Sequence, residues 1–166
     1  MTVDRTTTGK GRVASFKLDD IRKLDAGKWF DEKFNGTKVP MLAEVFELVG
    51  KDKLINIELT NYSTPRDGLV LKVCELIKRH NIQKQILFSS FLPSNLKIAA
   101  QTLPEVPRGL LAMPALVGLW ARSFGFMFGE YQALHPHISS TSREQVQRVH
   151  RLNRRVHVWT ANSPEE

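Results

Sequence analysis

The run "KLINIELTNYS", residues 53–63, places a carboxylate where an isolated one would lose its hydration. In an extended segment Ile55, Ile57 and Leu59 share one face and Asn56, Glu58 and Thr60 the other, so one face is oily and the other carries chemistry. Two readings of Glu58 stay open at this point: a buried acid neutralised by a structural arginine, or an acid pointing into a site. Other reactive side chains are few. The lone Cys74 lies inside the apolar helical pattern Leu69, Val70, Val73, Leu76, Ile77, which excludes a disulfide framework or a CxxC metal site and reads as a small buried thiol. His135 in "ALHP" reads as a hydrogen-bonded structural histidine or as a group at the mouth of a site, and Trp159 as a packing or a pocket residue.

The elements that must position these residues alternate. Strand-like runs recur at 54–59, 85–91, 109–113, 131–136 and 155–162. Between them, Asp67 can cap a helix that runs to about His80 and ends at Asn81, and "PSNLKIAAQTL" makes another that stops at Pro104. Thr141 and Glu144 form a capping-box pattern before a third helix, whose stripe is Val146, Val149 and Leu152. This rhythm predicts βα units and a parallel sheet. If such a sheet curls into a barrel, the oily face of 54–59 packs outward on helices. Glu58 then points inward near the C-terminal end of its strand, where barrels place their active sites. Upstream, Leu18, Ile21 and Leu24 form one helical stripe stopped by Gly27, and Leu42, Val45, Phe46 and Val49 form the inward face of a helix that starts near Pro40.

The chain has 166 residues, 42% of them hydrophobic, enough for one globular unit with a real core. A net charge of +7 raises anionic partners without choosing among them. Five arginines fall between Arg143 and Arg155, but the apolar stripe of their helix turns most of them to solvent. No aromatic residues interleave to stack bases, and nucleic acid is not expected as a partner. Residues 110–128 approach membrane-spanning length but contain Pro114, Gly118, Arg122 and Gly125. They read as ordinary core, a dimer contact, or a lid or membrane-surface contact carrying Trp120, Phe124, Met127 and Phe128. "MTVDRTTTGKG" has no apolar h-region, which favours the cytoplasm for the chain as given.

The runs "VDRTTTGKGRV", "IRKLDAGKWFDEKFNGTKVPMLAEVFELV", "INIELTN", "ILFSSF", "GLLA" and "VHVWTAN" occur in an order that resembles bacterial glycerophosphodiester phosphodiesterases almost end to end. The resemblance implies an α/β fold, a partial TIM (β/α)8 barrel with roughly the first three strands and the last strand missing. Residues 1–166 would then be a single incomplete domain. It further implies a hydrolase of glycerophosphodiesters that gives an alcohol and glycerol 3-phosphate with a divalent metal, Mg²⁺ or Ca²⁺. Glu58 would be one metal ligand, with Trp159 and Phe91 substrate-binding. Thr60 stands where the family often has a lysine. The family's HRG, E-x-D and HD motifs fall before Met1 in this alignment, and its last strand falls after "VHVWTAN". No catalytic histidine is therefore assigned in the chain, and the isolated chain is expected to be inactive; if it does turn over, His135, His157 and His80 come first in line. The competing function is a non-catalytic protein that binds a phosphodiester or lipid head group.

Overall fold

The computed structural model describes residues 1–50 and 52–163. Two compact units emerge, Met1–Gly50 and Lys51–Glu166. The domain reading over 1–166 runs across both; Lys51 and residues 164–166 lie outside the described residues.

The first unit is built from loops closed by side chains and two short helices, α1 (Leu18–Lys23) and α2 (Leu42–Val49). The "LDAG" turn is organised by Asp25: Oδ1 accepts the Gly27 and Lys28 N–H groups, both at 2.8 Å, and Oδ2 accepts the Gly36 N–H. Those backbone donors hold the Asp25 carboxyl below its usual range. Gly27 is required, since a Cβ there would lie 2.0 Å from the Phe34 carbonyl oxygen. The "VDRTTTGKG" loop closes the same way, with Gly11 N–H on Asp4 Oδ2 at 3.0 Å and the Thr7 hydroxyl on the Val3 carbonyl at 2.7 Å. Helix α2 buries Phe46 and half-buries Leu42, Val45 and Val49. Leu18, expected in the α1 stripe, is exposed instead; a helix of six residues has too few turns to bury a full stripe.

The second unit alternates strand and helix: β1 (Ile55–Glu58), α3 (Leu69–His80), β2 (Ile86–Ser90), α4 (Pro93–Thr102), β3 (Arg108–Ala112), α5 (Leu119–Arg122), α6 (Phe124–Phe128), β4 (Ala133–Pro136), α7 (Arg143–Arg151) and β5 (Arg155–Val156). All neighbours are parallel, in the order β1-β2-β3-β4-β5. A singly wound order of this kind is that of a barrel and not of a doubly wound sheet, whose order reverses at a switch point. Five strands leave this sheet open. Ile57, Leu59, Phe88, Leu110 and Leu134 are buried on the outer face, opposite a helix layer that buries Val70, Cys74, Ile77, Leu96 and Ala99. Burial pushes the Cys74 thiol up to about 11, so it is an inert core residue.

Helix starts and stops follow local chemistry. Asp67 accepts the Leu69 N–H at 3.0 Å ahead of α3, and Asn81 ends that helix with φ 53° and ψ 47°. The α7 cap differs from expectation: Ser142, not Thr141, accepts the Gln145 N–H at 3.2 Å. Val149 is buried in α7, whereas Leu152, just past its last turn, is 41% exposed, so the stripe is shorter than the sequence pattern. Arg143, Arg148 and Arg151 face solvent. The 110–128 stretch is interrupted as its Pro and Gly content predicts, and no helix among the described residues is long and apolar enough to cross a membrane.

Candidate active site at the sheet's C-terminal end

Glu58 ends β1, pairs with Ser89 of β2, and lies on the inner face of the sheet with Asn56. Because β1 is an edge strand of the open sheet, the acid is exposed here and not buried. Among the described residues no arginine forms an ion pair with it. Its partner is Tyr62, four residues on, whose hydroxyl donates to Oε1 at 2.7 Å. Burial and this carboxylate push the Tyr62 hydroxyl above its usual range, so it remains a donor at neutral pH.

Trp159 reaches the same place through β5. That strand is assigned over two residues only, but its ladder continues: His157 N–H donates to the Leu134 carbonyl at 2.9 Å and Trp159 N–H to the Pro136 carbonyl at 3.1 Å. Alternation then puts His157 and Trp159 on the inner face together. The indole N–H donates to the His135 carbonyl at 2.9 Å, which fixes the ring. Phe91, one residue past β2, packs edge-on to Trp159 with centroids 5.7 Å apart. Tyr62 packs on Phe91 at 5.9 Å, and His137 on Trp159 at 4.7 Å. An aromatic row thus crosses the strand ends from the tyrosine that holds Glu58 to His137.

Glu58, Ser89, Phe91, His135, His157 and Trp159 line one cavity of about 630 Å³. His135 is buried over Gly109, where a Cβ would lie 2.2 Å from the imidazole Nε2, so the missing side chain makes room for this ring. Its Nε2 is 3.1 Å from His157 Nδ1, so one of the two nitrogens carries the shared proton. Burial, with His157 adding to it, pushes His135 down to about 4; partial burial, then Arg155, lowers His157. Both rings are therefore neutral near pH 7. Ser89 is 1% exposed, and its hydroxyl has no hydrogen-bond partner among the described residues, which leaves a buried polar group on the cavity wall.

Behind the wall a polar network ties the loop after β1 to the start of α4. Asn95 Nδ2 donates to Asn61 Oδ1 at 2.7 Å and to the Leu59 carbonyl at 3.2 Å. The Ser90 hydroxyl donates to the same carbonyl at 2.8 Å, and Asn61 Nδ2 to Asp67 Oδ1 at 2.8 Å. The structure therefore brings Glu58, Phe91, Trp159 and His135 together; His80, at the end of α3, does not line this cavity. Tyr62, Ser89, His137 and the network are singled out by no periodic pattern or motif of the sequence. The one sequence signal for them is the density of Asn and Ser in "TNYS" and "SSFLPSN" at the two strand ends.

As a metal site the arrangement is partial. Glu58 fits as one oxygen donor to a hard cation, which takes six or more such ligands. Among the described residues no three His, Cys, Asp or Glu side chains gather closely enough to hold a metal ion, so these residues do not complete a coordination shell.

The family model described as the glycerophosphoryl diester phosphodiesterase family matches residues 1–166. A glycerophosphodiester phosphodiesterase of Caldanaerobacter subterraneus subsp. tengcongensis is 37% identical over 166 residues, 99% of this chain and 67% of that relative. An Oleispira antarctica phosphodiesterase, solved in complex with the product sn-glycerol-3-phosphate, superposes with a TM-score of 0.84 at 27% identity, over 98% of this chain and 65% of that one. The glycerophosphodiester phosphodiesterase of Agrobacterium tumefaciens, at 24% identity and TM-score 0.74, shares the fold over 98% of this chain and 67% of its own. The chain thus spans about two thirds of the length of the proteins it matches. Its open sheet corresponds to part of their barrel.

Proposed function

The chain belongs to the glycerophosphoryl diester phosphodiesterase family, and from that premise we propose that the protein carrying it hydrolyses glycerophosphodiesters to an alcohol and glycerol 3-phosphate with a divalent cation, Mg²⁺ or Ca²⁺. The observation that carries this reading is the meeting of Glu58, Phe91 and Trp159 at one cavity, at the C-terminal end of a singly wound parallel sheet. The product-bound Oleispira antarctica relative supports the substrate class.

In this reading Glu58 supplies one carboxylate oxygen to the cation, oriented by the Tyr62 hydroxyl. The cation, when bound, would supply positive charge beside the phosphate; among the described residues no group of three His, Cys, Asp or Glu side chains gathers to hold it. Trp159 and Phe91 form the apolar wall on which the glycerol or head group rests, and the bond from the indole to the His135 carbonyl keeps that wall in place. The neutral histidine pair and the Ser89 hydroxyl offer hydrogen bonds without adding charge to the floor. The test is glycerol 3-phosphate release by the protein at its full natural length, with Mg²⁺ or Ca²⁺, compared with its Glu58→Gln variant. Metal-dependent release that the variant loses is the expected result. Binding of glycerol 3-phosphate without release would leave the non-catalytic head-group reading in its place.

A further inference from the structure

Helices α5 and α6 form the crossover between β3 and β4, and such a segment should bury one apolar stripe. It does so through Gly125 and Phe126. Its other side is apolar as well: Trp120 is 56%, Phe124 67% and Phe128 80% exposed, and Leu116 and Val117 in the preceding turn are 83% and 81% exposed. Phe124 and Phe128 stand one helical turn apart with parallel rings, 2° between planes and 6.2 Å between centroids. Isolated exposed apolar residues are ordinary; five in one short segment are not.

The segment is pinned in this pose. The Arg122 guanidinium donates to the Met113 and Ala115 carbonyls, and the Ala115 N–H donates to the Ser140 hydroxyl at 2.9 Å. Gly118 packs against the Met113 carbonyl so closely that a Cβ would lie 1.8 Å from its oxygen.

Positive charge rims the apolar face. Arg148 of α7 donates to the Arg122 carbonyl at 3.4 Å, which sets the basic face of α7 beside the end of α5. Arg151 follows one turn later. Arg154, by contrast, lies over the buried Phe126 ring at 4.9 Å and donates to the Phe126 carbonyl, so it belongs to the inner side of α6 and not to this rim. Among the described residues none of Arg122, Arg148 and Arg151 pairs with a carboxylate; the ion pairs present lie elsewhere. Two acids are near in sequence, Glu144 on α7 and Glu130 after α6, which leaves the rim positive.

We propose that this face docks on an anionic phospholipid bilayer, with the Trp120, Phe124 and Phe128 rings at the headgroup–acyl boundary and Arg148 and Arg151 on lipid phosphates. Charge complementarity selects this occupant. A second copy would bring a rim of the same sign and the same net charge of +7, whereas an anionic surface answers both the apolar centre and the arginine edge. The face also adjoins Met113, a residue of the candidate site's cavity, through the Arg122 bond.

The test is sedimentation of the full-length protein with vesicles of phosphatidylcholine alone or with about 30% phosphatidylglycerol. Binding to the anionic vesicles only, weakened by salt, is expected. Phe124→Ser/Phe128→Ser should lower the partition coefficient by about 10-fold, and Arg148→Glu/Arg151→Glu by a similar factor, with unchanged melting temperatures. These residues are exposed and outside the candidate site, and two independent variants guard against one misfolding. Failure of the parent to bind anionic vesicles, or equal binding by both variants, overturns the proposal. Self-association that the phenylalanine variant abolishes, with no vesicle binding, overturns it in favour of a second copy.

Discussion

The Tyr62 hydroxyl donates a 2.7 Å hydrogen bond to Glu58 Oε1, and the same ring packs edge-on to Phe91. One side chain therefore couples the acid on β1 to the aromatic row at the ends of β2 and β5. Removing the oxygen while keeping the ring separates the two roles. Tyr62→Phe should raise the metal concentration that gives half-maximal glycerol 3-phosphate release by about 10-fold, the usual scale for a group that orients a metal ligand, with the fold intact. An unchanged metal dependence would show that Tyr62 does not act through Glu58.

Trp159 is half-buried, and its indole packs on Phe91 and His137 and donates to the His135 carbonyl, so its loss affects both packing and function. Trp159→Ala should reduce kcat/KM by about 10-fold more than the lost folded fraction explains, with turnover and thermal melting measured on the same preparation. If the folded fraction accounts for all of the loss, Trp159 is a packing residue only.

His135 makes the fold sensitive to acid. Its ordinary value of 6.5 is pushed down to about 4 by burial, so between those values the unfolded chain binds a proton that the folded chain refuses. Stability contributed by the neutral ring is complete above pH 6.5 and is lost as pH falls through 4, a total of about 3 kcal/mol. His157, lowered as well, adds in the same direction. Urea midpoints from pH 7.5 to 4 should fall steeply for the parent and less steeply for His135→Gln, which cannot titrate there. Parallel slopes would remove His135 as the cause.

Asn95 joins Asn61, Leu59 and Ser90 in a fully buried network. Asn95→Ala removes the donor to the Asn61 side-chain oxygen, while the Leu59 carbonyl keeps the Ser90 hydroxyl, and should destabilise by about 2 kcal/mol in chemical unfolding. A change under about 0.5 kcal/mol would mean that the loop repacks without the network.

Periodicity made the βα order legible, because the oily faces of Ile57–Leu59, Phe88 and Leu110 must meet helices whatever closes the sheet. It failed where neighbours outside the segment decide. Glu58 reads as buried in the pattern but stands on an edge strand; Leu18 and Leu152 fit a stripe whose helix is too short to bury them. Phe91 and Trp159 were legible through the motifs around them. Tyr62 was not: its contact with Glu58 depends on how the chain turns after β1, and that turn is set by side-chain bonds among Asn61, Thr64 and Asp67 that no period reports. Ser89 was hidden for a related reason, since only the register with Glu58 shows which serine of "SS" faces the cavity.

The central claim is that Glu58 serves a metal-assisted phosphodiester hydrolysis at this cavity. Its most direct measurement is release of glycerol 3-phosphate from a glycerophosphodiester by the full-length protein, across Mg²⁺ and Ca²⁺ concentrations, for the parent and Glu58→Gln. The amide keeps the shape of the side chain and its acceptor for Tyr62 but loses the charge that holds a cation. The account predicts metal-dependent release by the parent, a loss of at least about 100-fold in the variant, and equal melting temperatures. Release by the variant at the parent's rate and metal dependence would contradict it.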